Sequence, residues 1–362
     1  MLRIGIDGRA LQGRRTGVGR YVFELCRELD EQLQDAAFFV YSNKPVEMPV
    51  LSDRWTLRLD PLSWAAKLKS VLWLKLRCGA LCRQDDLDVF WGAATFLPSL
   101  PHTVRTIVTV YDLNYKIVPE TMSRTHLWGF KLFFSRDILR SDIVTAISEG
   151  SSSRLHGFVG RSADAIVYPA IDAAFRPQSD SAIQDLLDKH SFSRPYLLAV
   201  ATWEPRKNLE LLIRVFLDMK SRGELPGRKL VLVGGRGWKD ERLVGLLAGT
   251  DSVVPLGYVP DEDLPALYSG AELFVFPSIY EGFGMPVLEA AACGARVVAS
   301  DIPEVREAGG ANATYTEPTA NGICRGIVRA LSEKPAQYEA ADELTSWKKS
   351  AENLVSIIIG NK

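Results

Sequence analysis

One segment of the chain, residues 273–300, constrains the fold more than any other. Within it, residues 273–276 and 296–299 are short, mainly apolar runs, the pattern of strands buried on both faces of a parallel sheet. Residues 285–293 between them are rich in good helix formers, and Gly294 suits the left-handed position that ends many helices. The segment therefore predicts a strand–loop–helix–strand unit of a parallel α/β sheet.

The loop of this unit reads Glu281-Gly282-Phe283-Gly284 and leads into the helix that contains Glu289. Glycines let the backbone approach a ligand closely, and a helix N-terminus offers N–H groups to an anion, so a diphosphate fits here. One carboxylate can face a sugar or a developing cation, and the other can accept hydrogen bonds from ribose hydroxyls. A turn with two solvated glutamates is the alternative that this loop leaves open.

The stretch from Glu281 to Glu289, E-G-F-G-x-P-x-x-E, resembles the E-x7-E signature of the family-4 (GT4) retaining glycosyltransferases. The resemblance implies an α/β GT-B fold, in which two Rossmann-like domains face each other across a cleft and a C-terminal helix crosses back to the first domain. It also implies that the second domain holds a nucleotide sugar. Glu281 would then contact the donor sugar, Glu289 the ribose, and the segment Gly282, Phe283, Gly284 the diphosphate.

Length and charge bound the class of protein. The 362 residues suit two α/β domains, and a net charge of −1 argues against a nucleic-acid binder. The five cysteines form no CxxC pair and no metal-ligand spacing with the four histidines, as expected of reduced thiols in the cytosol. The charged N-terminus is unlike a signal peptide, and no apolar run approaches the roughly 20 residues of a membrane span. We expect a cytoplasmic protein and leave peripheral contact with the inner membrane open.

The resemblance extends over nearly the whole chain and implies its domain organisation. Residues 1–172 would form an N-terminal Rossmann-like acceptor domain, and residues 173–345 a C-terminal Rossmann-like domain that binds the nucleotide sugar. Residues 346–362 would be the helix that returns to the N-terminal domain. The polar stretch 175–194, rich in Asp, Ser and Pro, suits a linker with one short helix.

Two loops of the N-terminal domain contain candidate contacts. Residues 16–19 read Thr-Gly-Val-Gly and match a flexible loop that the family places near the donor phosphates, which makes Gly17 and Gly19 donor-binding candidates. A plain connector at the rim of the sheet is the alternative. Tyr111-Asp112 stands where family members commonly have His-Asp. Because a tyrosine with a pKa near about 10 is a poor base at neutral pH, Asp112 becomes the candidate catalytic contact with the acceptor.

Two adjacent cations, Arg206 and Lys207, follow the first strand of the second domain, where doubly wound sheets bind ligands. A guanidinium fork and a compact ammonium suit a diphosphate. Cations at a helix N-terminus oppose the helix dipole, which argues against a merely solvated helix start. The family motif E-x-R-K-N matches Glu204, Arg206, Lys207 and Asn208 and implies charge relief on the departing nucleotide. By the same resemblance, the backbone at Val259 would meet the nucleobase.

Two stretches, residues 63–83 and 124–140, combine basic residues with Trp, Phe and Leu at helical spacing. Basic amphipathic helices of this kind can lie in an anionic lipid surface. Helices that face the core and expose a basic side are the commoner explanation of such a pattern. The sequence therefore leaves membrane contact open.

The family resemblance, together with these features, implies a retaining GT4 hexosyltransferase that uses a nucleoside diphosphate sugar. A general similarity to bacterial mannosyl- and rhamnosyltransferases of surface polysaccharide (O-antigen, lipopolysaccharide) synthesis implies a GDP sugar, with mannose as the best candidate, and a glycan or undecaprenyl-linked acceptor. We expect no cofactor and no metal, because the Asp-x-Asp pairs at 86–88 and 261–263 resemble ordinary loop acids. A UDP-sugar donor, another GT-B enzyme such as a phosphorylase or epimerase, and a non-catalytic partner subunit that binds a nucleotide sugar are the alternatives.

Overall fold

The chain divides into two compact units. Unit 1 comprises Met1–Lys116, Arg124–Ala170 and Ser346–Lys362, and unit 2 comprises Ile117–Ser123 and Ile171–Thr345. The short segment Ile117–Ser123 thus groups with the second half of the chain. The structure, a computed structural model, describes residues 1–13, 17–237, 241–333 and 346–360.

Unit 1 is built on a parallel sheet of seven strands. They are β1 (Leu2–Asp7), β2 (Ala36–Ser42), β3 (Trp55–Leu59), β4 (Val89–Gly92), β5 (Arg105–Val110), β6 (Ile143–Ala146) and β7 (Ala165–Ile166), in the order β3-β2-β1-β4-β5-β6-β7. The helices between them are α1 (Gly17–Gln32), α2 (Ser70–Trp73), α3 (Gly79–Cys82), α4 (Asn114–Ile117), α5 (Arg124–Arg140) and α6 (Glu149–Val159). Strands β2 and β4 are buried along their whole length, because layers cover both faces of the sheet.

Unit 2 repeats this architecture on a six-stranded parallel sheet. Its strands are β8 (Tyr196–Val200), β9 (Lys229–Val233), β10 (Val253–Gly257), β11 (Leu273–Phe276), β12 (Val297–Ser300) and β13 (Ala313–Thr316), in the order β10-β9-β8-β11-β12-β13. Its helices are α7 (Asp180–Lys189), α8 (Leu209–Ser221), α9 (Glu241–Leu247), α10 (Leu264–Gly270), α11 (Met285–Ala292), α12 (Pro303–Gly309) and α13 (Ala320–Ser332). Leu212, Ile213 and Phe216 of α8 are fully buried in one core cluster with the strands.

The predicted strand–loop–helix–strand unit is confirmed as β11, α11 and β12. Gly294 has a φ of +80°, the left-handed conformation expected after the helix. Gly284, immediately before α11, has a φ of +125°, which residues with a Cβ rarely adopt. Glycine is therefore required at the entry to α11 for conformational reasons alone.

In both sheets the strand order reverses at the first strand of the unit, β1 in unit 1 and β8 in unit 2. In each unit the chain builds outward on one side of the first strand and then returns to its other side, so that β1 lies between β2 and β4, and β8 between β9 and β11. Ligands of doubly wound sheets bind outside the carboxyl ends of the strands at this switch point. The loops after β8 and β11 therefore share the favoured ligand position of unit 2, and those after β1 and β4 share that of unit 1.

The last helix, α14 (Trp347–Ile359), belongs to unit 1 and packs on α1. Gln32 Nε2 donates to the carbonyl of Lys348 at 3.1 Å, and the rings of Tyr21 and Trp347 meet edge to face with centroids 6.0 Å apart. Trp347 is buried. The predicted return of the C-terminal helix to the first half of the chain is confirmed.

The stretch 63–83 differs from the single helix that its spacing suggests. A short 3₁₀ turn, Ala65–Lys67, comes first, and a continuous helix then runs from α2 through a π-helical turn, Leu74–Cys78, into α3. The stretch 124–140 forms one helix, α5, as expected. None of the described helices is long and apolar enough to cross a membrane.

Candidate active site

The loops after β8 and β11 are joined to each other by hydrogen bonds. The N–H of Ile279 donates to the carbonyl of Arg206 at 2.9 Å. The side-chain amide of Asn208 donates to the carbonyls of Pro277 and Pro318, each at 3.1 Å. Asn208 has a φ of +57°, a conformation that asparagine tolerates better than most residues. Its backbone turn and its side chain thus fix the two loops side by side.

The two loops bring three of the predicted catalytic residues into one ion cluster. Glu281 accepts from Arg206, with Nη1 and Oε2 2.6 Å apart, and from Lys207, with Nζ and Oε1 2.7 Å apart. A second carboxylate, Glu204, binds the other edge of the guanidinium at 2.7 Å. All four side chains are between 9% and 14% exposed, so the pairs are screened little by solvent.

The charges of this cluster move the pKa values of its members. Burial by itself would raise the pKa of Glu281, but Lys207 and Arg206 outweigh it and lower that pKa to about 2. Burial lowers the pKa of Lys207, and the charge of Arg206 adds to that effect, while Glu281 opposes it. Two cations thus face one carboxylate, which stays ionised far below neutral pH.

The rest of the β11 loop closes the cluster from one side. The carbonyl of Tyr280 accepts from Arg206 Nη1 at 2.9 Å, and Phe276 lies with its ring centroid 5.6 Å from Lys207 Nζ. Phe283 is buried, and Gly284 then immediately precedes α11. The candidate donor segment 282–284 therefore continues directly from the ionic cluster into a helix N-terminus.

Glu289 lies one turn into α11 and accepts from a residue of the neighbouring helix α10. It is 6% exposed and its Oε2 accepts from the hydroxyl of Tyr268 of α10 at 3.0 Å. Glu281 is 7% exposed. The alternative of two solvated glutamates is therefore wrong, because both carboxylates are buried and bound by partners.

The remaining donor-binding candidates lie in other parts of the chain. Val259 is buried in the turn after β10, within unit 2. Gly17 is the first residue of α1, and Gly19 is buried within that helix, so both belong to unit 1. Thr16, which begins the matched loop, lies outside the described residues.

The side chain of Tyr111, at the position where the family commonly has histidine, makes its contacts with other residues of unit 1. Its hydroxyl donates to the carbonyl of Ala93 at 2.6 Å, and its ring meets that of Tyr21 edge to face. Burial raises the pKa of the Tyr111 hydroxyl well above its ordinary value. The hydroxyl is therefore a structural donor and is even less able to act as a base than its ordinary pKa indicates.

Asp112 follows β5 and is partly exposed. It accepts from Asn114 twice, at 3.1 Å from the backbone N–H and at 2.8 Å from the side-chain amide. This carboxylate thereby forms an Asx turn with the first residue of the short helix α4.

Sequence reasoning missed three parts of the site. Glu204 was part of the E-x-R-K-N match but was given no role of its own, yet it orients the guanidinium of Arg206. Asn208 holds the β8 and β11 loops together, and Tyr268 binds Glu289. The E-x-R-K-N motif contained the signal for the first two, whereas no motif pointed to Tyr268.

Carboxylates of the Asp-x-Asp pairs take part in other contacts. Asp88 Oδ2 accepts from the N–H of Arg3 at 2.8 Å, and Asp263 Oδ2 lies 2.5 Å from Lys189 Nζ. Within the described ranges no three His, Cys, Asp or Glu side chains form a cluster that could hold a metal ion.

Comparison of the sequence with known proteins finds one family over much of unit 2. The family described as "Glycosyl transferases group 1" matches residues 185–354. The O-antigen chain mannosyltransferase B of Escherichia coli is 31% identical over 342 residues, which is 88% of this chain and 87% of the relative. A GDP-mannose-dependent alpha-(1-6)-phosphatidylinositol monomannoside mannosyltransferase of Mycolicibacterium smegmatis is 29% identical over 62% of this chain and 61% of the relative.

Comparison of the structure with solved structures gives the fold. WaaG, a glycosyltransferase involved in lipopolysaccharide biosynthesis, superposes with a TM-score of 0.69 at 13% identity and covers 100% of both chains. At this level of identity the likeness concerns the fold alone. With the two parallel α/β sheets, it confirms the predicted GT-B class.

Proposed function

The chain belongs to the group 1 glycosyl transferases, and we propose that it is a GT4 enzyme that transfers mannose from GDP-mannose with retention of configuration. The acceptor in this proposal is a glycan or an undecaprenyl-linked glycan of bacterial surface polysaccharide. The names of the relatives from Escherichia coli and Mycolicibacterium smegmatis support mannose and GDP. The enzyme would act at the surface of the membrane that holds such an acceptor.

The observation that supports a nucleotide-sugar site best is the convergence of Arg206 and Lys207 on Glu281 at the switch point of the second sheet. During transfer, the bond between the sugar's anomeric carbon and the diphosphate oxygen breaks, and the electron pair leaves with the diphosphate. In our proposal Arg206 and Lys207 stabilise that negative charge together with the Gly282–Gly284 amides. The acceptor oxygen then bonds to the anomeric carbon, and the proton of that hydroxyl passes to the departing diphosphate.

Glu281 has two roles in this proposal. Its two oxygens hold Arg206 and Lys207 in fixed positions, as the 2.6 Å and 2.7 Å contacts indicate. It also faces the donor sugar and favours an oxocarbenium-like state, because its lowered pKa keeps it negative at neutral pH. Glu289, also buried, would bind the ribose, with Tyr268 orienting the carboxylate.

Other assignments complete the proposal. The backbone at Val259 contacts the base, and Gly17 and Gly19 are further donor-binding residues of the proposal. Asp112 contacts the acceptor in this proposal, since the hydroxyl of Tyr111 already donates to the carbonyl of Ala93. The reaction proceeds without a metal or other cofactor, because the paired cations supply the positive charge that a metal would otherwise provide.

The direct test is a ligand panel followed by a transfer assay. Thermal shifts with GDP, UDP, ADP and their sugars should be largest for GDP and GDP-mannose, since a ligand at 100 times its Kd adds about 2.7 kcal/mol of stability. The chosen donor is then incubated with a lipid-linked glycan acceptor, with and without EDTA, and the anomeric configuration of the product is read by NMR.

Each outcome decides one part of the proposal. A larger thermal shift with UDP would mean that the donor base is uracil and not guanine. A product with inverted anomeric configuration would exclude a retaining mechanism. Strict loss of activity in EDTA would overturn metal independence. Nucleotide binding without hydrolysis or transfer would favour a non-catalytic partner subunit.

A further inference from the structure

Unit 1 exposes a group of large apolar side chains on two neighbouring helices. One helix is the continuous stretch from α2 to α3, and the other is α5. The exposed fraction is 64% for Leu76, 61% for Trp128 and 48% for Leu132. We call the full set the apolar ridge: Leu72, Leu76, Trp128, Leu132 and Leu139.

The contacts between the two helices show that they run in the same direction. The methyl carbons of Val71 lie 4.0 Å from the point that a Cβ would occupy if Gly129 had a side chain. Lys75 lies over the ring of Phe133, with Nζ 4.9 Å from the ring centroid. The ammonium of Lys75 also pairs with the buried carboxylate of Asp137. Later residues of the first helix therefore contact later residues of the second, as expected when the two helices are parallel.

This direction puts the ridge on one side of the helix pair. Each residue of a helix is rotated by about 100° from the one before it. In a parallel pair, the residue that follows a contact residue on the first helix therefore points to the same side as the residue that precedes the contact residue on the second helix. Leu72 and Leu76 follow the contact residues of the first helix. Trp128 and Leu132 precede those of the second. Leu139 lies two turns after Leu132 on the same face of α5.

The ridge is bordered by positive charge. Lys69, Lys131 and Arg136 are exposed next to it, and none of them has an ion pair with any residue that the structure describes. Residues 63–83 contain five Lys and Arg and no Asp or Glu. The one carboxylate of α5, Asp137, is buried between Lys75 and Arg140.

We propose that the apolar ridge and its basic border dock unit 1 on a bilayer that contains anionic phospholipid. Leucine and tryptophan side chains enter the boundary between headgroups and acyl chains, and the basic residues bind the headgroup phosphates. Tryptophan is favoured at that boundary because its ring is apolar and its N–H is polar. None of the described helices is long and apolar enough to cross a membrane, which is consistent with docking in the plane of the interface.

The charge pattern favours a lipid surface over a second copy of the chain. A two-fold contact through this face would place the same basic border against itself, with no exposed carboxylate of either helix to compensate. The inference extends the proposed function, since a lipid-linked acceptor is reached at such a surface. Vesicle binding nevertheless does not depend on the donor or on catalysis.

The experiment measures flotation of the full chain with two kinds of vesicle, phosphatidylcholine alone and phosphatidylcholine with phosphatidylglycerol. Binding is expected only with phosphatidylglycerol and should weaken as salt screens the charges. The double variants Leu76→Ser with Leu132→Ser, and Lys131→Glu with Arg136→Glu, should each bind about tenfold more weakly. The matched controls are Val328→Ser and Arg325→Glu, exposed residues of unit 2 that should leave binding unchanged.

The outcomes separate this inference from the proposed function. If ridge variants lose transfer to a lipid-linked acceptor but keep it with a short water-soluble acceptor, the docking surface is supported. Equal binding to both vesicles, or equal loss in the Val328 and Arg325 controls, overturns it. A dimer that dissociates in Leu76→Ser with Leu132→Ser, without vesicle binding, assigns the face to a second copy. Vesicle binding with no transfer of any sugar rejects the proposed function and leaves the docking surface standing.

Discussion

The two switch points of the molecule have the same topology but different chemistry. In unit 1, Asp7 at the end of β1 pairs with Arg9 of the following loop at 2.6 Å, and Arg9 also donates to the carbonyl of Ala94 at 3.1 Å in the loop after β4. In unit 2 the corresponding loops contain the cluster around Arg206 and Lys207. Asp7 and Arg9 side chains are 0% and 5% exposed, whereas Arg206 and Lys207 are 13% and 14% exposed.

The topology of a switch point therefore sets where a ligand site can form, whereas the residues of the local loops set its chemistry. In unit 1 one cation and one carboxylate satisfy each other and tie two loops together. In unit 2 two cations converge on Glu281 beside a helix N-terminus that Gly284 opens to close approach. We therefore expect the first pair to act mainly on stability and the second cluster mainly on ligand binding and turnover.

Replacing Arg9 should have the largest effect on stability. Arg9→Ala leaves the buried carboxylate of Asp7 without its partner, which costs about 3–5 kcal/mol of unfolding free energy. Urea unfolding measures the loss, and the double variant Arg9→Ala with Asp7→Asn should recover part of it. If the folded Arg9→Ala protein instead lost nucleotide affinity at unchanged stability, the contrast between the two switch points would fail.

Replacing Lys207 should reduce turnover most. Lys207→Ala removes a charge that the proposed transition state needs, and we expect kcat to fall by about 10²–10³. Arg214→Ala, an exposed cation of α8 paired with Glu210, is the matched control and should stay within twofold of the wild type, roughly as for other surface pairs. Equal kcat in wild type and Lys207→Ala would refute the role of the cluster.

The stability that Glu281 provides should depend on pH in one direction. Its folded pKa of about 2 lies below the ordinary 4.5, so its contribution is fully present above about pH 4.5 and is lost as the pH falls towards 2. The contribution amounts to about 3 kcal/mol at most. The difference in unfolding free energy between wild type and Glu281→Gln should be constant from pH 8 to 5 and shrink below that. A difference that grows on acidification contradicts the geometry.

The same substitution should separate binding from turnover. Glu281→Gln keeps the shape of the side chain but removes the charge that competes for Arg206 and Lys207, so GDP should bind as tightly as before or more tightly. We expect kcat to fall by about 10² because the sugar loses its carboxylate. Calorimetry and initial rates measure the two effects. A parallel loss of GDP affinity and kcat would make Glu281 only a structural support.

The smallest effect is expected at Tyr268. Tyr268→Phe removes the hydrogen bond to Glu289, which costs about 1 kcal/mol of stability and weakens nucleotide binding by a few-fold if Glu289 holds the ribose. Titration with GDP and with the 2′,3′-dideoxy analogue measures the second effect. An equal loss for both ligands would place Glu289 away from the ribose.

Much of unit 2 could be predicted because its signals are local. The apolar runs of β11 and β12, the helix formers of α11 and the glycine at 294 lie within one segment, and each depends on neighbouring residues. The motifs also gave Arg206, Lys207 and Glu281 as candidates. The stretch 63–83 could not be predicted in full, because a π-helical turn depends on packing against the rest of unit 1.

Local patterns in the sequence were enough to predict the strand–loop–helix–strand unit and the residue types of the site, because periodicity and motifs are properties of neighbouring residues. The GT-B class and the return of α14 followed from the family resemblance that those motifs carry. The folded chain was needed to show that Lys207 meets Glu281, 74 positions away, that both glutamates are buried, and that Tyr111 binds Ala93. It also decided that the apolar side chains of two distant helices share one exposed side. Pairings of this kind depend on which strands become neighbours in the sheet, and no local pattern specifies that.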